Sequence, residues 1–240
     1  MTTISDAVLP LLGAIDPWGW QAHPEVWFLV LAILAFGWWA VRVIGPRVVP
    51  AGQPVVTPFQ RRAFVTATVL LLASADWPVH DIAEAHLYSV HMVQHMAITF
   101  IVPPLYLLAT PAWLVRLLVL EGGVGSRVVR RMAHPVVAGV VFNALVAITH
   151  WSGVVQLSFD SGTFHYSLHM MLFLSALLMW VPVAAPIPEL RISLPGQMIY
   201  LFLMSIIPTI PAAWLTFAEG VVYRHYDDGF EMWGVSVQSD

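Results

Sequence analysis

The sequence predicts an all-α fold: a polytopic membrane helical bundle of about six transmembrane helices, with both termini outside. Three observations predict it. Of 240 residues, 59% are hydrophobic and 10% charged, whereas a soluble domain carries about 25% charge. That much apolar surface does not fit inside one soluble core, so lipid is the expected solvent. Apolar runs recur at close to the ~20 residues that a helix needs to cross a bilayer. Arginine, the only strongly basic residue type present, is confined almost entirely to alternate connections between those runs.

The first span is read at about 25–45, "EVWFLVLAILAFGWWAVRVIG", and the second at about 61–77, "RRAFVTATVLLLASADW". The third covers about 86–109 and is interrupted by Pro103 and Pro104; the fourth covers about 135–152, the fifth 165–184 and the sixth 195–217. Such prolines free backbone carbonyls that neighbouring helices must satisfy. Pro208 and Pro211 break the sixth span in the same way. Trp18, Trp20, Trp27 and Trp151 fit an interfacial aromatic belt. The domain reading is an outer N-terminal segment (1–24), a bundle (25–217) and an outer C-terminal segment (218–240). The opening residues lack the basic region of a cleavable signal peptide.

Cytoplasmic loops carry the positive charge. Arg42, Arg47, Arg61 and Arg62 lie between spans one and two, Arg116, Arg127, Arg130 and Arg131 between three and four, and Arg191 between five and six. Asp6, Asp16, Glu25, Asp76, Asp81, Glu84, Asp160, Glu219, Asp227 and Asp228 fall on the other side. Nine of the ten histidines also fall there, with His134 the exception. A lone histidine such as His23 or His225 needs no cause beyond an interfacial ring. Several within spans, all toward one side, do need one, because ionisable groups inside a membrane are costly.

His91 and His95 in "HMVQHM" are four apart and share a helix face, and His165 and His169 in "HYSLHMM" repeat the spacing on span five. Paired imidazoles at that spacing are a two-ligand arrangement for Cu, Zn, Fe or Ni. The competing reading is a hydrogen-bonded polar layer that only fixes helix packing. The candidate metal ligands are therefore His91, His95, His165 and His169. His86, His150, Met92, Met96, Met170 and Glu84 are further candidates for the metal or its surroundings. The chain has no cysteine, which excludes thiolate zinc sites and iron–sulfur clusters. Thioethers beside the imidazoles suit Cu(I), and copper is the expected metal, with zinc left open. Met92 and Met96 sit about 100° round the helix from their histidines, as core filler would. "DIAE" at 81–84 reads as a capping box, with Asp81 as the cap and Glu84 three residues on. Asp76 reads as a turn or cap residue. A net charge of −4 without lysine argues against nucleic-acid binding.

The stretch "WPVHDIAEAHLYSVHMVQHMAITFIVPPLYLLATP" resembles the signature of the multi-span CtaG family of cytochrome c oxidase assembly factors. "ITHWSGVVQLSFDSGTFHYSLHMMLFLSALLMWVPV" and "YRHYDDGFEMWGVSVQSD" resemble the same family's second histidine region and last outer loop. The resemblance implies a bacterial plasma-membrane protein, not an enzyme, that handles copper for oxidase assembly. Its implied partners are oxidase subunits or their copper chaperones, within membrane lipid. The family pattern continues into a further span past the point where this sequence ends. Two other classes share the histidine signal: a b-type haem electron carrier and a histidine-box membrane metalloenzyme. The doubled "HxxHH" box of the latter is not found here.

Overall fold

The computed structural model describes residues 18–121, 123–226, 232–236 and 240. Asp6, Asp16, Asp227 and Asp228, on which part of the charge reading rests, lie outside the described residues. Within them the chain is helical and holds no strand. We number the principal helices α1 (Pro24–Val48), α2 (Pro58–Ala75), α3 (Val79–Ala85), α4 (Tyr88–Ala109), α5 (Val124–Met132), α6 (Pro135–Thr149), α7 (Ser152–Asp160), α8 (Gly162–Ala184) and α9 (Leu194–Thr216).

Five segments are long and apolar enough to cross a membrane: α1, α2 continued by α3 (Pro58–Ala85), α4, α8 and α9. The predicted fourth span is α6, whose 15 residues reach only about 22 Å at 1.5 Å per residue. It passes as a span only together with α5, from which it is bent by 70°. Sequence reading did not separate out α5 or α7. α5 is amphipathic and carries Arg127, Arg130 and Arg131. That composition suits a helix lying at the interface rather than crossing it.

Local chemistry sets the ends. Thr57 and Gln60 form a reciprocal capping box, with Pro58 at the first helical position. This box starts α2 three residues before the predicted boundary. Ser161 and Ser193 cap α8 and α9. Asp76 is the turn residue expected: it ends α2, accepts from the Trp77 amide at 2.9 Å, and also accepts from the Trp27 indole at 2.9 Å.

The "VPP" break is accommodated by a wide π turn over Ala97–Ile101 inside α4. Whether the ladder there runs to the fourth or the fifth residue, the partner of the Thr99 carbonyl is Pro103 or Pro104, and neither has an N–H. The Trp180 indole on α8 donates to that carbonyl at 2.9 Å.

Two apolar cores flank α8. Val26, Val30, Ala67, Leu71, Ile98, Val102 and Phe173 knit α1, α2, α4 and α8 together. Phe142, Val146, Leu172, Ala176, Met179, Tyr200 and Met204 join α6, α8 and α9. Small residues set the close approaches: Ala67 is fully buried, and a side chain at Gly139 would meet Met204. The remaining faces present large apolar side chains outward, among them Phe28, Leu31, Ile199 and Phe202, as lipid contact demands. The arginine-bearing ends of the helices lie at one end of the bundle and the histidine-bearing ends at the other. His134 precedes α6 while His150 follows it, so the length of that helix separates His134 from the histidine layer.

Candidate metal centre

His91 and His95 are the fourth and eighth residues of α4, counted from Tyr88, and His165 and His169 are the fourth and eighth of α8, counted from Gly162. Both helices enter from the histidine-bearing end, so the two pairs sit at one depth. The rings meet: centroids are 4.4 Å apart for His91–His95, 4.7 Å for His95–His169, 5.7 Å for His91–His169 and 4.4 Å for His165–His169.

The donor atoms fall into two groups rather than one. One nitrogen each from His91, His95 and His169 lie within 4.8 Å of one another. A second group of equal tightness is His80, Glu84 and His165. By donor distance His165 groups with His80 and Glu84, while its ring stays stacked on His169 and lines the same small space as His91, His95 and His169. Within the second group His80 Nε2 lies 3.0 Å from Glu84 Oε2, and His165 Nδ1 lies 3.7 Å from Glu84 Oε1.

The capping box expected at 81–84 does not form. α3 begins two residues earlier, after Pro78, with no side-chain cap. Asp81 is instead inside the helix, buried, and bound to His23 Nε2 at 2.9 Å. Glu84 faces the histidines. Glu84 and His91 lie on separate helices, because the chain turns at His86 and Leu87 between α3 and α4.

His23 is also not a lone interfacial ring. It is 8% exposed, bridges Asp81 and Glu25, and packs edge-on against His80 at 4.7 Å. His225 lies flat on Phe159, with centroids 3.6 Å apart, and donates to the Glu84 carbonyl at 3.0 Å. The members that sequence reasoning missed are His80, His23, Asp81 and Gln94. Their signal was present: His80 and Glu84 are themselves an i, i+4 pair, hidden by the competing cap motif.

Of the further candidates, His150 donates Nδ1 to the Val146 carbonyl at 2.7 Å, which leaves Nε2 as the acceptor nitrogen of the neutral ring. With Met92 it lines a small space shared with His91, His95, His165 and His169. Met170 borders the larger cavity next to His169. Met96 is 59% exposed on the outer face of α4, so it is neither a ligand nor core filler. His86 is buried between α3 and α4 and belongs to neither donor group.

The donor set fits a metal ion. His91 Nδ1, His95 Nε2 and both nitrogens of His165 are buried without a hydrogen-bond partner among the described residues. A buried polar atom left so is costly, and coordination would satisfy it. Three imidazoles bound at about 2.0–2.1 Å bring their nitrogens to roughly 3–3.5 Å from one another. Small ring rotations from the present separations achieve that. The same close packing argues against a haem, which needs a slot for its macrocycle between axial rings.

The C-terminal segment roofs the layer. Tyr223 donates to the His150 carbonyl at 2.8 Å and Tyr226 to the Ala83 carbonyl at 2.9 Å. Burial pushes both phenols up, so both remain donors. The Asp240 carboxylate accepts from the Tyr88 and Ser89 amides and supplies the cap that Leu87 lacks at the start of α4.

These features define a polytopic helical membrane protein with a buried, histidine-rich candidate metal centre at the end of the bundle opposite all its arginines but Arg224. Residues 34–240 match the family model described as cytochrome c oxidase caa3 assembly factor (Caa3_CtaG), and the chain belongs to that family. Neither a curated protein nor a solved structure matches it.

Proposed function

We propose that this protein serves cytochrome c oxidase assembly in a bacterial plasma membrane by holding copper on the outer side, at His91, His95 and His169. The observation that carries the reading is the convergence of these three imidazoles, from two helices, with buried His91 Nδ1 and His95 Nε2 left without a hydrogen-bond partner among the described residues. Family membership supplies the process, and the donor set supplies the chemistry. Imidazole with a neighbouring thioether, from Met92 or Met170, and no thiol favours copper over zinc. Copper bound there is cargo for the oxidase, handed to a subunit or to a copper chaperone, and the role is not catalytic. Tyr223, His225 and Tyr226 cover the layer on the side of the C-terminal segment.

The test is the double substitution His91→Ala, His95→Ala, with protein level, copper content and oxidase activity measured in the same cells. Alanine favours the helix and lowers the cost of insertion. The protein should stay abundant, lose copper and fail to support the oxidase, and added copper should restore part of the activity. If the histidines only pack helices, the protein level falls instead and copper changes nothing. A stable variant with normal copper content and normal oxidase activity overturns the proposal.

A further inference from the structure

Beside the three-histidine group stands a donor set of different chemistry. His80 and Glu84 project from one face of α3, four residues apart, and His165 meets them from α8. We propose that His80, Glu84 and His165 form a second metal site, for a divalent first-row cation, joined to the three-histidine site through the stacked rings of His165 and His169. The inference rests on the reading that the histidine layer binds metal, but concerns different ligands.

Three observations carry it. The first is geometry: the three donor atoms lie within 4.8 Å of one another, as do those of the other group. The second is an unexplained buried group. His165 is 6% exposed, and neither ring nitrogen has a hydrogen-bond partner. A ring placed only for packing would cost less as phenylalanine or leucine. The third is the surroundings, built as those of metal-binding histidines are. His80 Nδ1 lies 3.0 Å from the Gln94 side-chain amide. Gln94 is 1% exposed and its Oε1 has no partner. As placed, Gln94 donates from Nε2 to His80 Nδ1; with the amide turned over, Oε1 would accept from Nδ1–H and leave the Nε2 lone pair facing Glu84. The ring is held from its other side by His23, itself bound to Asp81.

The chemistry of the two sites differs in a useful way. Two imidazoles and a carboxylate are harder donors than three imidazoles near a thioether, and they suit Cu(II) or Zn(II). The carboxylate offsets part of a dication's charge, which three neutral rings do not. Access differs too. A cavity of about 450 Å³ is walled by His80, Glu84, His165 and His169 together with Thr163 and Leu71, whereas His91 and His95 are not in its wall. That cavity reaches all three residues of the mixed site and, of the other group, His169, whose ring centroid lies 4.4 Å from that of His165.

The full chain, purified in detergent, is loaded with Cu(II) or separately with Zn(II), desalted, and assayed for metal per chain. The wild type should hold about two ions, and H80A/E84Q and H91A/H95A about one each. Copper electron paramagnetic resonance gives a readout independent of stoichiometry. The signal lost in H80A/E84Q should show mixed nitrogen and oxygen ligation. The single substitution E84Q, close in shape to the parent, should change that signal while the protein stays monodisperse on size exclusion. A wild type with one ion, lost in H91A/H95A and kept in H80A/E84Q, overturns the second site and leaves the proposed function standing. One ion lost only in H80A/E84Q does the opposite. No retained metal overturns both.

Discussion

The indole of Trp180 donates at 2.9 Å to the carbonyl of Thr99, the group that Pro103 and Pro104 leave without a helical partner. Two consecutive prolines in a membrane helix are tolerated only where something re-satisfies the freed carbonyls. Here that is a side chain on the neighbouring helix, so the break in α4 and the packing of α8 are one device. It lies one turn beyond His95 and fixes how α4 and α8 face each other at the histidine layer.

Trp180→Phe should therefore destabilise the bundle by about 1 kcal/mol, the net worth of one such bond. Chemical unfolding of the detergent-solubilised protein would read it. Unchanged stability would mean that another group, or water, serves Thr99 equally well.

Orientation gives a second prediction. The chain has no cysteine, so single introduced ones are unambiguous labels. Cysteines at Asp6 and at exposed Glu219 should react with an impermeant reagent added outside intact cells, and one at exposed Gln53 should not. Labelling of Gln53→Cys alone would invert the molecule and turn the histidine layer toward the cytoplasm.

The third concerns Gly45 in α1. A methyl group there would come within 2.3 Å of Val55 Cγ1 and 3.4 Å of Trp113. The loop after α1 folds back over this glycine and is pinned by the Trp113 indole, which donates to the Val55 carbonyl at 2.9 Å. Gly45→Ala should cost about 1–3 kcal/mol through overpacking, and Val55→Ala in the same chain should recover much of it. Failure of the second change to rescue would place the strain elsewhere. The histidine layer is at the other end of the bundle, so metal content should be unaffected in either variant.

The fourth tests the roof. Asp240→Ala removes the carboxylate that caps α4 at Tyr88 and Ser89. Those two amides should then exchange hydrogen faster, with a loss of about 0.5–2 kcal/mol in local stability, as for other lost N-caps. Tyr226→Phe, which removes the bond to the Ala83 carbonyl, should loosen the same region while leaving amides in α9 unchanged. Uniform exchange in both variants would show that the segment does not hold the end of α4.

Much of this protein is legible in its sequence. The six apolar runs, the arginine bias and the paired histidines follow from composition and period alone. A bilayer leaves the backbone no alternative to helix, so span length reads directly from hydropathy. The equal depth of His91 with His165, and of His95 with His169, is likewise a consequence of register within two helices that start at the same surface.

Tertiary structure alone decided how the donors divide. The sequence placed His165 with His91, His95 and His169, because spacing reports which residues share a face but not which faces meet. Packing set His169 against α4 and also brought His165 within reach of His80 and Glu84. The second group was hidden because "DIAE" satisfies a local cap motif, and local motifs carry no information on what lies across the bundle. The buried His23–Asp81 contact spans 58 residues and no helical period encodes it. Periodicity fixes positions along one helix, whereas the rotation and crossing of helices come from side-chain fit between them, and that fit exists only once all the partners are in place.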